Sequence, residues 1–223
     1  MDLSKSYEYF KPEEVTERIH IIGCGSVGST IAENLARNGL TKFTLWDFDT
    51  VEQHNIVNQM FTTKHIGMPK VEALRDIILE INPDAKDDII LEPKGWNGKM
   101  MSGYIFLAVD NIELRRQIVE KHMYSPNVKV VFDIRTLLES GQHYAADWGN
   151  QKDKENLLAG MQFSHEEAAT ETPVSACGIT LGVCTTVRLI CGLAVTNFIN
   201  YVREGRLWKS VNFLSSHGIL ECF

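Results

Sequence analysis

Ile19-His20-Ile21-Ile22-Gly23-Cys24-Gly25-Ser26-Val27-Gly28 is the stretch that decides the fold. A short apolar run enters a Gly-x-Gly-x-x-Gly turn and leaves as an amphipathic helix, with Val27, Ile31 and Leu35 at helical spacing and Gly39 placed as a left-handed cap. A strand, turn and helix in this order set backbone N–H groups and a helix N-terminus against a phosphate. Gly23, Gly25, Ser26 and Gly28 are therefore candidate nucleotide contacts. Asp47 ends a second apolar run, Lys42 to Asp47, about twenty residues beyond the loop, where a carboxylate meets a ribose hydroxyl pair.

Outward from this unit the chain alternates. A helix is expected from near Pro69, with Val71, Leu74, Ile78 and Ile81 on one face, and Pro83 stops it. Ile89 to Leu91 reads as a short strand, Lys94 to Ser102 as a glycine-containing connection holding Trp96, and Tyr104 to Val109 as a central strand delivering Asp110-Asn111. Leu114 and Ile118 mark another helix, and Val128 to Phe132 another strand. The order β-α-β-α-β-β-α-β predicts an α/β fold with a Rossmann-like, mostly parallel, doubly wound sheet. Ligands of such sheets bind outside the carboxyl ends of the strands. After Asp133 the pattern predicts antiparallel strands: Gln142 to Asp147 after a Glu139-Ser140-Gly141 turn, then Leu207 to Leu214 and Gly218 to Cys222. Residues 149–172 are polar and acidic, a crossover loop or lid with a marginal helix, and an apolar helix is expected from about Cys177 to Glu204. With no repeat and no linker, residues 1–223 read as one domain whose first 17 residues form an arm or short helix packed on it.

The totals narrow the function. Hydrophobic content of 44% and charged content of 23% are ordinary for a globular protein, and the net charge of −7 disfavours a sequence-blind grip on nucleic acid. Five cysteines, none spaced Cys-x-x-Cys, and a polar start predict reduced thiols in a cytoplasmic protein. Cys177, Cys184 and Cys191 recur every seven residues and share a helix face, a pattern of core packing rather than zinc ligation. The apolar run Ile179 to Ile199 carries Arg188, Thr185, Thr186, Thr196 and Asn197, so it reads as a buried or interface helix rather than a membrane span.

The glycine loop alone is shared by dehydrogenases, flavin enzymes and methyltransferase relatives. The discriminating stretch is Asp47-Phe48-Asp49-Thr50-Val51-Glu52-Gln53-His54-Asn55-Ile56-Val57-Asn58-Gln59, followed by Ile66-Gly67-Met68-Pro69-Lys70-Val71. It resembles the ubiquitin-activating superfamily, the ThiF and MoeB type of adenylyltransferase, and Leu107-Ala108-Val109-Asp110-Asn111 with Arg115 resembles that family's second aspartate motif. The resemblance runs from Arg18 to about Gly205. It implies Mg-ATP-dependent adenylation of the C-terminal glycine of a small ubiquitin-like or sulfur-carrier protein, with release of pyrophosphate, by a homodimer. By resemblance Asp47 holds the ribose hydroxyls, Asn55 and Lys70 contact the phosphates, and Asp110 holds magnesium and orients the α-phosphate. Asp49, Asn58, Gln59, Asn111 and Arg115 complete the candidate site.

Chemistry supports the reading. A carboxylate approaching an α-phosphate meets strong repulsion, so backbone amides, cations and a metal are needed around the triphosphate. Lys70 opens a helix whose first turn favours an acid, so its placement is locally unrewarded. Asp49 can also shape a turn, and Asp110-Asn111 can also cap a helix.

Three departures from the family pattern stand out. Asn58 occupies the place of an arginine that the family commonly directs at the triphosphate; Arg18, Arg115 and Arg135 are the alternative cations. The paired-cysteine zinc site of many relatives is absent, so no structural zinc is expected. Val174 stands where sulfur-transferring members carry a cysteine, and Cys177 nearby reads more readily as a small packed residue than as a thioester or persulfide carrier. Two alternatives remain: a nucleotide-binding scaffold that has lost the chemistry, and an NAD-dependent oxidoreductase. The dimer is expected to form through the apolar late helix, with the N-terminal arm reaching across it.

Overall fold

The computed structural model describes residues 1–164, 166–167 and 181–223. Eight strands form one sheet in the order β3-β2-β1-β4-β5-β6-β7-β8. The parallel half contains β1 (Ile19–Ile22), β2 (Phe43–Trp46), β3 (Ile90–Glu92), β4 (Gly103–Leu107) and β5 (Val128–Thr136). The antiparallel half adds β6 (Ser140–Asp147), β7 (Ser210–Leu214) and β8 (Ile219–Cys222). The mostly parallel Rossmann-like sheet with antiparallel strands on its C-terminal side is thus the fold the alternation anticipates.

Strands buried on both faces use their period of two to feed two cores. On one side, Ile21, Phe106 and Phe132 meet helices α1 (Ser26–Arg37), α2 (Lys70–Ile81) and α5 (Cys184–Glu204) through Ile31, Leu74 and Phe198. Phe106 and Phe132 stack at 4.6 Å between centroids, and Phe198 of α5 leans on both. On the other side, Ile22, Ile105 and Val131 pack under α3 (Ile112–His122) and α4 (Gln151–Ala159) through Ile118 and Leu157. The α4 segment is the helix expected within the polar crossover stretch; Asn150 caps it by accepting from Lys152 and Asp153.

The structure shifts several expected boundaries. β5 runs on past Phe132 to Thr136, because Asp133 is neutralised in place and Val130 to Thr136 pair antiparallel with β6. The connection to β6 is therefore Leu137 to Glu139, two residues before the expected turn, closed by Leu137 N–H donating to the Ser140 carbonyl at 2.8 Å. β4 ends at Leu107, two residues early, though Ala108 N–H still donates to Ile22 O at 2.8 Å. α5 begins at Cys184, not near Cys177; residues 181–183 are not helical, and Cys177, with Val174, lies outside the described residues. Of the other two cysteines on that face, Cys191 is buried with Sγ 3.6 Å from the Val27 carbonyl and Cys184 is half-buried. The N-terminal arm seats on its own chain: Phe10 is buried, and Tyr9 lies under the Arg203 guanidinium at 3.9 Å. Among the described residues no helix is long and apolar enough to cross a membrane.

Candidate functional site

A cleft of about 1270 Å³ opens along the carboxyl ends of β2, β1, β4 and β5, where the strand order reverses. Its floor is the glycine loop, and the three glycines do different work. Gly23 has φ +91°, and a Cβ there would meet the Ala108 carbonyl at 2.9 Å, so the turn needs glycine for its backbone and for β4. Gly28 lets α1 approach the loop: a Cβ there would lie 1.8 Å from the Gly23 carbonyl oxygen. Gly25 has nothing among the described residues within 4 Å of where its Cβ would stand, and it faces the cleft. Gly25 is also the N-cap of α1, which has no side-chain cap and no acid in its first turn. An uncapped helix N-terminus at an open glycine is a place for an anion.

Asp47 is tied to that loop. Its Oδ2 accepts from the Cys24 amide at 2.6 Å and its Oδ1 from the Asp49 amide at 2.8 Å. Burial pushes its carboxyl up from the usual range, and the two amides oppose that shift. From Asp49 the network continues: its carbonyl accepts from Lys70 N–H at 2.9 Å, and its carboxylate accepts from Lys70 Nζ at 2.8 Å. Lys70 is buried while Asp49 remains half exposed, so the ammonium is fixed at the cleft wall by a partner that can still be reached from solvent. Placing Lys70 at the first position of α2 is thus rewarded by Asp49 across the Thr50–Pro69 bridge rather than by its own helix.

Asn55 is buried at the cleft, its Oδ1 accepting from Glu52 N–H at 2.8 Å in a capping box that shapes the turn. Gln59 lines the same wall, and its Oε1 is buried with no hydrogen-bond partner among the described residues. Asn58 also lines the cleft, packed so closely against Gly182 that a Cβ at 182 would sit 2.5 Å from its Nδ2. Asp110 is exposed at the end of β4 and lines the cleft together with Ser26. Asn111 is outside the lining; its Oδ1 caps α3 by accepting from Leu114 N–H at 2.8 Å. Gly28 too acts from behind the floor rather than in it.

The three alternative arginines separate. Arg18 is at the opposite end of β1, donating to Phe43 O and Asp88 O at 2.8 and 2.7 Å, away from the cleft. Arg115 is buried at the cleft's base, and its donors go to the carbonyls of Leu107, Val109 and Ile134 and to Asp133. It braces the β4 and β5 ends on either side of Asp110. Arg135 reaches the cleft from β5, donating through Nε and Nη2 to Asp133 Oδ2 at 2.9 and 2.6 Å. Asp133, fully buried between two guanidinium groups, stands in the sequence only as a strand boundary. Its signal was its position: a carboxylate at the end of an apolar run next to the strand that delivers Asp110.

The model of the ThiF family matches residues 14–218. The chain belongs to the ThiF family. Among its relatives, ubiquitin-like modifier-activating enzyme 5 of Drosophila willistoni is 26% identical over 231 aligned positions, covering 91% of this chain and 52% of the relative. The enzyme of that name from Caenorhabditis briggsae is 32% identical over 133 positions, covering 53% of this chain and 30% of the relative. The chain therefore spans about half or less of these relatives' length. Among solved structures, Escherichia coli MccB with ATP superposes with a TM-score of 0.71 at 14% identity, covering 95% of this chain and 65% of that one. MccB with MccA-N7isoAsn gives 0.73 at 14% identity, covering 95% and 66%. At such identity the likeness is one of fold.

Magnesium can be tested against the residues present. Among the described residues no three His, Cys, Asp or Glu side chains converge as a metal cage. Asp110 offers one exposed carboxylate to the cleft, which suits an ion that keeps its waters and takes its other oxygens from substrate phosphates.

Proposed function

We propose that this chain is an ATP-dependent adenylyltransferase that activates the C-terminal glycine carboxylate of a small ubiquitin-like or sulfur-carrier protein, acting as one adenylation domain within a homodimer. The observation that carries the reading is the convergence, in one cleft, of the open glycine turn, Asp47, the Asp49-braced Lys70 and Asp110 on three adjacent strand ends. The ribose hydroxyls lie on Asp47, whose remaining lone pairs accept them. The triphosphate runs over Gly25 and Ser26 toward Lys70, Asn55, Asn58 and Gln59. Asp110 would hold Mg²⁺, which when bound supplies charge neutralisation on the phosphates.

The chemistry is an in-line substitution. A carboxylate oxygen of the carrier forms a bond to the α-phosphorus while the bond from that phosphorus to the bridging oxygen breaks, and pyrophosphate leaves with the electron pair. Lys70 and the α1 amides stabilise the negative charge that gathers on the departing oxygens. Arg115 holds the β4 end so that Asp110 keeps its place. No proton needs to be moved, so no general base is required. Incubation with Mg-ATP, labelled pyrophosphate and the carrier gives carrier-dependent exchange of label into ATP; absence of exchange with every small partner protein ending in glycine rejects the reading.

A second reading rests on Asn58, a neutral side chain packed on Gly182 where the family pattern carries an arginine. A nucleotide-binding scaffold binds ATP in a calorimeter and forms no adenylate when the carrier is added.

A further inference from the structure

The cleft is longer than a nucleotide needs. At about 1270 Å³ it exceeds the usual ligand pocket of roughly 300–1000 Å³. Asp47, the glycine loop and Lys70 gather at the β2 and β1 ends, and beyond Asp110 the cleft continues past Arg135, Thr136, Gln142 and Phe163. Arg135 supplies a guanidinium to that second half, whose lining also includes Glu167. Leu107 of β4 is paired with Asp133 of β5; Asp110 lies in the turn after the first strand, Arg135 continues the second, and both line the cleft.

The Arg135 guanidinium is held from three sides. Asp133 Oδ2 takes Nε and Nη2, and the rings of Tyr144 and Phe163 lie 5.0 and 5.4 Å from its centre. Asp133 is shared with Arg115, so one buried carboxylate faces two guanidinium groups and the cluster keeps an excess positive charge. Nη1 is not used on Asp133, and the side chain retains a fifth of its exposure on the cleft side. An arginine flattened between aromatic faces and aimed by a buried carboxylate is prepared to take a planar anion.

Resting on the adenylation reading, we infer that Arg135 binds the C-terminal carboxylate of the incoming carrier and presents it to the α-phosphate, dividing the cationic work with Lys70 on the nucleotide side. The two anions that must meet then each have a cation of their own, one on either side of Asp110.

The test uses a peptide ending in Gly-Gly, made as the free acid and as the C-terminal carboxamide, titrated into the full chain with a non-hydrolysable ATP analogue present. The wild-type protein prefers the acid by about tenfold or more, the scale of one charge-assisted contact. In Arg135→Gln that preference disappears while affinity for the ATP analogue stays within about twofold, and Arg135→Lys restores part of it. Asp133 keeps Arg115 as partner in both variants, so the fold persists, and melting temperature reports on it. An acid preference that survives in Arg135→Gln overturns the inference and leaves the adenylation reading standing. A loss of ATP-analogue affinity in place of the acid preference moves Arg135 to the triphosphate and overturns it as well. No acid preference in the wild-type protein rejects the carrier reading and the inference with it.

Discussion

Acidification should unfold this protein through two buried imidazoles, and the size of the effect follows from their surroundings. His20 Nε2 lies 3.0 Å from the Ser102 carbonyl, and Nδ1 accepts from Trp46 Nε1 at 3.2 Å. The neutral ring with its proton on Nε2 satisfies both contacts; a second proton on Nδ1 would point at the indole N–H. His143 Nε2 accepts from Asn197 Nδ2 at 2.8 Å in the core beneath α5. Burial pushes both residues down to about 4 from 6.5. Because the folded value lies below the unfolded one, the native state binds fewer protons. The contribution to stability is whole above pH 6.5 and is lost as the pH falls toward 4. At pH 5 the unfolded imidazoles are nearly all charged and the folded ones mostly neutral, which costs about 2 kcal/mol per residue, or about 4 kcal/mol together. Asp47, whose carboxyl is pushed up, works in the opposite sense at the acid end of this window. Urea unfolding at pH 7.5 and pH 5 measures the total, and His20→Gln and His143→Gln should each shrink the difference by about 2 kcal/mol whatever they do to stability at pH 7.5. A pH difference that both variants leave intact would refute the assignment of neutral, desolvated histidines.

Gly25→Ala should fold with an unchanged melting temperature and lose nucleotide affinity, since its Cβ would stand in the open cleft; calorimetry with ATP checks it. Gly28→Ala should instead lose about 2 kcal/mol or more of stability in urea, because its Cβ would overlap the Gly23 carbonyl. Lys70→Ala and Asp110→Ala should abolish pyrophosphate exchange while keeping native far-UV circular dichroism, and normal exchange by both would remove them from the site. Sedimentation at micromolar concentration should give a dimer mass, through the α5 face on which Leu189 is exposed.

Much of the fold was legible because it is written in local signals. Gly23 and Gly28 are glycines for two separate steric reasons, Gly25 leaves the cleft floor open, and the apolar periodicity of 27–35 and 71–78 matches helices packed on a sheet. What the sequence concealed depends on partners distant along the chain. Asp133 reads in the sequence as the boundary of a strand, and Arg115, 18 residues away and held by backbone carbonyls, together with Arg135 makes a charged strand interior tolerable. Arg18, Arg115 and Arg135 were equivalent cations in one dimension; the sheet sends the first to the far edge, spends the second on carbonyls and leaves the third facing the cleft. Asn111 likewise turned out to spend its side-chain oxygen on α3. Lys70 was legible by exception, as a base where a helix start favours an acid, and Asp49 supplies the reason.

The central claim is that a carrier's C-terminal carboxylate is joined to the α-phosphate of ATP in the cleft above Gly25. Mass spectrometry of the carrier after incubation with this protein and Mg-ATP tests it most directly. The expected product is an adenosine monophosphate adduct on the C-terminal glycine that hydroxylamine converts to the hydroxamate and that Lys70→Ala fails to form. ATP bound in the cleft with the carrier's mass unchanged would contradict it.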